Sequence, residues 1–292
     1  MRAALTGAAL VALYTALIAA ADGITKLIAG GYAAPQFFAL SSGMVLVFAF
    51  GAALRQGPPR LVLGVASQGT MALRALLTVL AAVGFFQAFR LLPFADVFLF
   101  IGLMPLIAAA LSGAALGEPV RPAAWLALGA GACGILFLMP EGRAGLDAGH
   151  LWALLAALSG TGSMVAARAI ARRERKPLAQ VFWPNLALAL AMGLALPFVW
   201  QPMPLADWLW VTGYALVLFG ARYVSVEALR LLPAYVATPL MNLQFIWMVG
   251  IGFFGFGELP GPGAMLGAAL VIGSGLWLVA DEALPGQRVR RV

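Results

Sequence analysis

The sequence contains one long segment twice. Arg90-Leu91-Leu92-Pro93 opens an almost wholly apolar run that closes at Gly117-Glu118, and Arg230-Leu231-Leu232-Pro233 opens another that closes at Gly257-Glu258. Both ends are displaced by 140 positions, so the copies run in register without a gap. Ala88/Ala228, Leu103/Leu243, Pro122/Pro262, Ala124/Ala264, Leu136/Leu276 and Leu138/Leu278 extend the match. A period this long, covering several hydrophobic segments, marks duplication of a half-protein and not a solenoid.

The solvent follows from composition. At 63% hydrophobic and 10% charged residues, with mean hydropathy +0.98, the chain has more apolar surface than a soluble core can hide, and lipid is its natural surrounding. The net charge of +7 does not point to nucleic acid, because the basic residues lie in loops between apolar runs, where they set orientation in a membrane. Cys133 and His150 are the single cysteine and histidine. No internal disulfide, metal cluster or haem ligand set is expected, and no cofactor.

Apolar runs fall at about 3–28, 34–54, 67–89, 94–115, 122–140, 150–171, 179–200, 207–228, 234–256 and 262–281. Each is long enough to cross the hydrocarbon as a helix, at about 1.5 Å per residue over about 30 Å. The breaks carry prolines, among them Pro58, Pro93, Pro119, Pro140, Pro177, Pro202, Pro233 and Pro260. Without period-two alternation the runs do not read as a barrel. The first run superficially resembles a signal peptide, yet Lys26 to Pro35 repeats the spacing of Arg168 to Pro177. That match makes it a helix of the fold, not a cleaved segment. The expected fold is therefore an all-α integral membrane protein with ten spans. Its first five-helix unit covers 1–140, its second 148–281, and a basic tail 282–292.

With a cytoplasmic N-terminus, Arg55, Arg60, Arg121, Arg168, the Arg172–Lys176 cluster and the basic tail all lie inside, while Lys26, Arg90 and Arg143 lie outside. Both termini are then cytoplasmic. Because five is odd, the two units must have opposite orientation, and inverted repeats are a recurrent design of secondary transporters.

The stretch from Phe85 to Asp96, followed by Met104-Pro105-Leu106 and Leu116-Gly117-Glu118, is similar to the pattern of the drug/metabolite transporter superfamily, in its EamA-type branch of two five-helix modules. The second copy departs from it, with Val236 for Asp96 and Phe245 for Pro105. Size and aromatic content further resemble the bacterial amino-acid exporters of the YddG type. The resemblance implies a multi-pass protein of the bacterial inner membrane that exports aromatic or other amphipathic amino acids by alternating access, as a monomer or homodimer.

Such a transporter binds its small-molecule cargo near the midplane between the halves. Charges at that depth cost about 3 kcal/mol each on insertion scales, so each needs a reason. Asp22 and Lys26 are an i, i+4 pair with the acid first, either snorkelling at the interface or gating the charged end of a cargo. Asp96 stands in the first turn of a span, where the helix dipole stabilises an acid, with gating as its alternative role. A third span starting near Leu61 would put Arg74 deep, where it suits a carboxylate, whereas the favoured start at Gln68 leaves it near the cytoplasm, snorkelling. Arg222 lies deeper than Arg230 and is the best candidate for an anionic group, whereas Glu227 and Arg230 form a pair near the surface. Asn242 and Gln244 follow Pro239, which frees backbone groups that can face a cavity. Ser159 and Ser163 share a helix face, meeting either a cargo amine or their own preceding carbonyls. Tyr14, Phe98 and Tyr223, with Phe85, Tyr214, Phe245 and Trp247, are candidate cavity aromatics, while Trp183, Trp200, Trp208 and Trp210 read as interfacial anchors. Arg90, Pro93, Glu118, Arg230, Pro233 and Glu258 are expected to stitch helices together.

Two rivals remain. A drug or quaternary-amine exporter of the same fold would want a deep acid. An intramembrane enzyme would want a paired base or facing acids, which the lone His150 and the unmatched Asp22 and Asp96 do not supply, and no nucleotide-binding loop is present. The expectation is a non-enzymatic carrier working by uniport or loose coupling.

Overall fold

A computed structural model describes residues 2–92, 94–117, 148–232 and 234–257, with a few isolated positions between 125 and 129 and between 265 and 273. Regular structure in these residues is helical: α1 (Arg2–Ala29), α2 (Ala34–Gln56), α3 (Pro59–Leu63), α4 (Gln68–Leu91), α5 (Phe94–Leu116), α6 (Ala148–Ala171), α7 (Pro177–Val199), α8 (Leu205–Leu231), α9 (Ala234–Met241) and α10 (Gln244–Phe256). Prolines open α2, α3 and α7 within their first two positions, where the missing N–H is not needed.

Among the described residues six helices, α1, α2, α4, α6, α7 and α8, are long and apolar enough to cross a membrane. Shorter apolar segments run over Phe100–Leu116 and Gln244–Gly255. The expected spans at 122–140 and 262–281 and the basic tail lie outside the described residues. Large apolar side chains point outward as well as inward, with Leu194 at 80%, Phe198 at 88% and Phe254 at 88% exposure. In water such a surface would aggregate, and in lipid it is the solvated one.

The run 234–256, expected as one span, is two helices. It breaks at Asn242-Leu243, where Leu243 N donates to Leu240 O at 3.0 Å and Phe245 N to Asn242 O at 3.0 Å, tighter bonds than the α pattern. Pro239 lies just upstream and cannot donate to the ladder, which loosens the helix at this point.

The principal packing pairs mix the two halves. α4 packs on α6 and α7, and α5 on α6, while α1 and α2 pack on α8 and α1 on α9 and α10. α2 against α7 and α5 against α9 join the two groups. The contacts are symmetrical under exchange of α1 with α6, α2 with α7, α4 with α8, and α5 with α9 and α10.

This packing explains the repeated motif. Ala88 and Ala228 are fully buried, and Leu92 and Leu232 are buried at 6% and 2% exposure. Leu92 fills the space over Gly149, where an added Cβ would stand 2.7 Å from its Cγ, and Leu232 does the same over Gly7, also at 2.7 Å. Each motif leucine thus enters a glycine notch on the first helix of the other half, and close approach over small residues is what holds helices together where lipid supplies no hydrophobic drive. Gly117 and Gly257, which close the motif, have φ +60 and +67. They are left-handed helix ends that a side chain would strain. Arg90 is exposed. Arg230 pairs with Glu227 at 3.0 Å, as expected, and Arg175 joins them at 3.6 Å. Pro93, Glu118, Pro233 and Glu258 lie outside the described residues.

The loops clasp each other at both ends of the bundle. On the face that carries the basic cluster, the Glu174 carboxylate accepts from Ala66 N and Ser67 N at 3.1 and 3.2 Å, and Lys176 Nζ donates to Leu61 O and Gly64 O at 2.7 Å each. Arg168 and Arg172 cap the ends of α8 and α5 by donating to Leu229 O and Leu116 O. On the opposite face Tyr32 donates to Asp207 at 2.5 Å, and Gln36 and Gln201 exchange two bonds of 2.6 and 2.9 Å. The bond to Asp207 raises the Tyr32 pKa, so this phenol stays a donor across the physiological range.

Candidate functional site

Four helices turn one polar stripe each toward the centre. On α1, Tyr14, Ile18, Asp22 and Thr25 recur at helical spacing, and on α8 Tyr214, Leu218, Arg222 and Ser225 do the same. α4 contributes Arg74, Thr78 and Phe85, and α6 contributes Gly160, Ser163 and Met164. Between them lies a cavity of about 180 Å³. Tyr14, Ile18, Asp22, Phe85, Gly160 and Met164 also line a second lobe of about 130 Å³, completed by Ile101, Met104, Met241, Asn242 and Gln244. The two lobes share a wall, so Asp22 stands at their junction.

Asp22 lines both lobes, and the two arginines line the first. In the first, Arg74 is buried at 7% exposure, and its Nη1 donates to Oε1 of Gln180 on α7. Arg222 lines the same lobe, together with Tyr14, Tyr214 and Asp22. Thr78 donates to Arg74 O at 2.8 Å and its hydroxyl meets that of Ser163 at 2.8 Å. In the second lobe Gln244 Nε2 donates to Asp22 Oδ2 at 2.5 Å. This bond joins α1 to the first residue of α10, at the break, where the free N–H groups of a helix start favour an acid.

Aromatic rings fill the wall between. Phe37 lies 4.5 Å from Tyr214 and 6.1 Å from Phe86 between ring centroids, and Phe85 stacks on Phe89 at 6.0 Å. The cavity is therefore an aromatic-lined cleft that carries two guanidiniums and one carboxylate, with the amides of Asn242 and Gln244 beside the carboxylate in the second lobe.

Of the sequence candidates, the cavity brings together Tyr14, Asp22, Ser163, Arg222, Asn242 and Gln244. It does not include Ser159, which is turned back on Leu155 O of its own helix, or Tyr223, which packs against the cluster of Ala53, Leu63 and Leu178. Lys26 sits in the last turn of α1. The side chains of Asp96 and Phe98 lie outside the described residues. Trp247 is at the lipid-facing side, 47% exposed, donating to Thr15 at 3.3 Å.

Arg74 corrects the expectation of snorkelling. Although α4 does begin at Gln68, the side chain is buried because α6 and α7 pack over that face. Its partner Gln180 was not foreseen, since no local pattern joins residues so far apart in sequence.

Four of the helices long and apolar enough to cross a membrane thus line a mostly apolar cavity that carries two arginines and one aspartate. Residues 147–280 match the EamA-like transporter family. The chain is similar to a riboflavin transporter of Rhizobium johnstonii (strain DSM 114642 / LMG 32736 / 3841), 28% identical over 217 residues, which are 70% of this chain and 64% of that one. The match thus spans less than two thirds of that relative's length. A crystal structure of a further protein, 21% identical, superposes with TM-score 0.71 over 97% of this chain and 99% of its own, which shows the shared fold. The second part of the chain thus resembles an EamA-like transporter domain, and the apolar helices are those of a multi-pass membrane protein.

Proposed function

We propose that the protein exports zwitterionic amphipathic compounds, aromatic amino acids foremost, by alternating access between two inverted repeats of the bacterial inner membrane. The observation that supports this reading is the make-up of the cavity. Arg74, Arg222 and Asp22 line one lobe, and Asp22 continues into the other beside Gln244 and Asn242. A free α-carboxylate suits the two guanidiniums, a free α-amine suits Asp22, and a ring suits the aromatic lining.

The symmetry of the packing supports inversion, since exchanging halves exchanges contacts. With a cytoplasmic N-terminus, the Arg172–Lys176 clasp is internal and the Tyr32–Asp207 clasp external, following the positive-inside rule. Cysteines placed at Gly57 and Gly145 test this, the first labelling from the cytoplasm and the second from outside. The reverse pattern sinks the orientation.

Two other cargoes have an observation each in their favour. Asp22 with a neutral partner suits a quaternary amine, and the riboflavin-transporting relative suggests a flavin. Neither uses two guanidiniums. Purified protein in liposomes, offered radiolabelled L-tryptophan, riboflavin and tetraethylammonium, separates the three. Tryptophan flux is expected with or without a pH gradient. Flux of riboflavin or the quaternary amine alone overturns the amino-acid reading, and strict dependence on the pH gradient overturns uniport.

A further inference from the structure

We infer that Gln180 is a specificity-determining residue that keeps the charge of Arg74 available for the carboxylate of the cargo. The inference rests on the zwitterion reading above. A buried guanidinium ordinarily faces a carboxylate, because an unpaired charge is costly to bury. Arg74 faces a neutral amide instead. Gln180 is buried at 1% exposure, so this amide is held in place by its surroundings and not by water. An amide oxygen accepts a hydrogen bond from the guanidinium and orients it, but leaves its positive charge uncancelled. A glutamate of the same length would make a charge-assisted pair and take that charge out of use.

The groups that line the lobe agree in kind. Arg74 Nε is buried without a partner and is a donor. Arg222, also only a donor, lines the same lobe. Two cationic donors are satisfied together by a group with only acceptors and more than one oxygen. A carboxylate has that chemistry.

The test compares L-tryptophan with tryptamine, which lacks the carboxylate, in liposomes, after subtracting flux into protein-free liposomes. Wild type is expected to prefer tryptophan. Gln180→Glu is expected to lower the tryptophan-to-tryptamine flux ratio by about tenfold or more, the worth of a charged hydrogen bond. Gln180→Met, which removes the acceptor without adding charge, is expected to retain the preference at a lower rate. An unchanged ratio in a folded Gln180→Glu protein overturns the inference while leaving the zwitterion reading intact. Should Gln180→Glu not fold, Arg74→Gln gives the same readout, and a ratio equal to wild type again overturns it. A wild type that moves neither compound overturns the zwitterion reading itself, and the inference with it.

Discussion

At Arg222 a cationic side chain lines the cavity that Arg74 and Asp22 also line. A charge at such depth costs about 3 kcal/mol on insertion scales. On the proposed reading an anionic cargo offsets that cost. Arg222→Gln is therefore expected to cut tryptophan flux by about tenfold to a hundredfold while leaving thermal stability in detergent equal or higher. Ser159→Ala, whose hydroxyl serves only its own helix, should stay within about twofold of wild type. Initial rates and melting curves check both, and undiminished flux in Arg222→Gln removes that residue from the binding site. That Arg222 lines the cavity was legible in the sequence because it lies about two turns deeper than Arg230, where snorkelling is strained. Arg74 was not. Its distance from the start of α4 suggested snorkelling, and only packing against α6 and α7 closes that route. Ser159 and Ser163 were indistinguishable by spacing, since they share a face, and their neighbours separate them: Ser163 meets Thr78 of α4.

Helices show the same division between what pattern reveals and what packing decides. Ends were readable from Pro and Gly, so α2, α4, α6 and α8 begin and end within a few residues of their apolar runs. The split of α9 from α10 was not, because a proline in a membrane helix can kink without breaking it. The repeated Ala-x-Arg-Leu-Leu-Pro was conspicuous while its purpose was hidden, for the glycines that receive its leucines lie on other helices. Gly149→Val drives a side chain into Leu92 and is expected to destabilise the protein by about 1–3 kcal/mol. Adding Leu92→Ala should return a good part of that loss, because the clash and the space it needs are at one contact. A double variant as unstable as the sum of its parts, measured by thermal unfolding in detergent, contradicts the notch.

For the molecule as a whole, the duplication in the sequence suggests two units side by side, and the structure interleaves them. Asp22 meets Gln244, Arg74 meets Gln180, and α1 lies among α8, α9 and α10. Self-similarity within a sequence reports that two units exist but carries no information on which surfaces they share. The interleaving has a consequence in time. α1 is made before α8, α9 and α10, the helices that supply most of its contacts, which are encoded from Leu205 onward. Val11, fully buried in a cluster with Leu229, Leu232 and Val236, must wait in the bilayer until most of the chain has been synthesised. A cysteine replacing Val11, with Cys133→Ala, should react with a lipid-soluble maleimide in chains stopped at residue 200 and be protected in the full chain. Protection in the short chain contradicts this order. α1 thus waits for most of its neighbours until late in synthesis, and Asp22 until then lacks Gln244, its partner on α10.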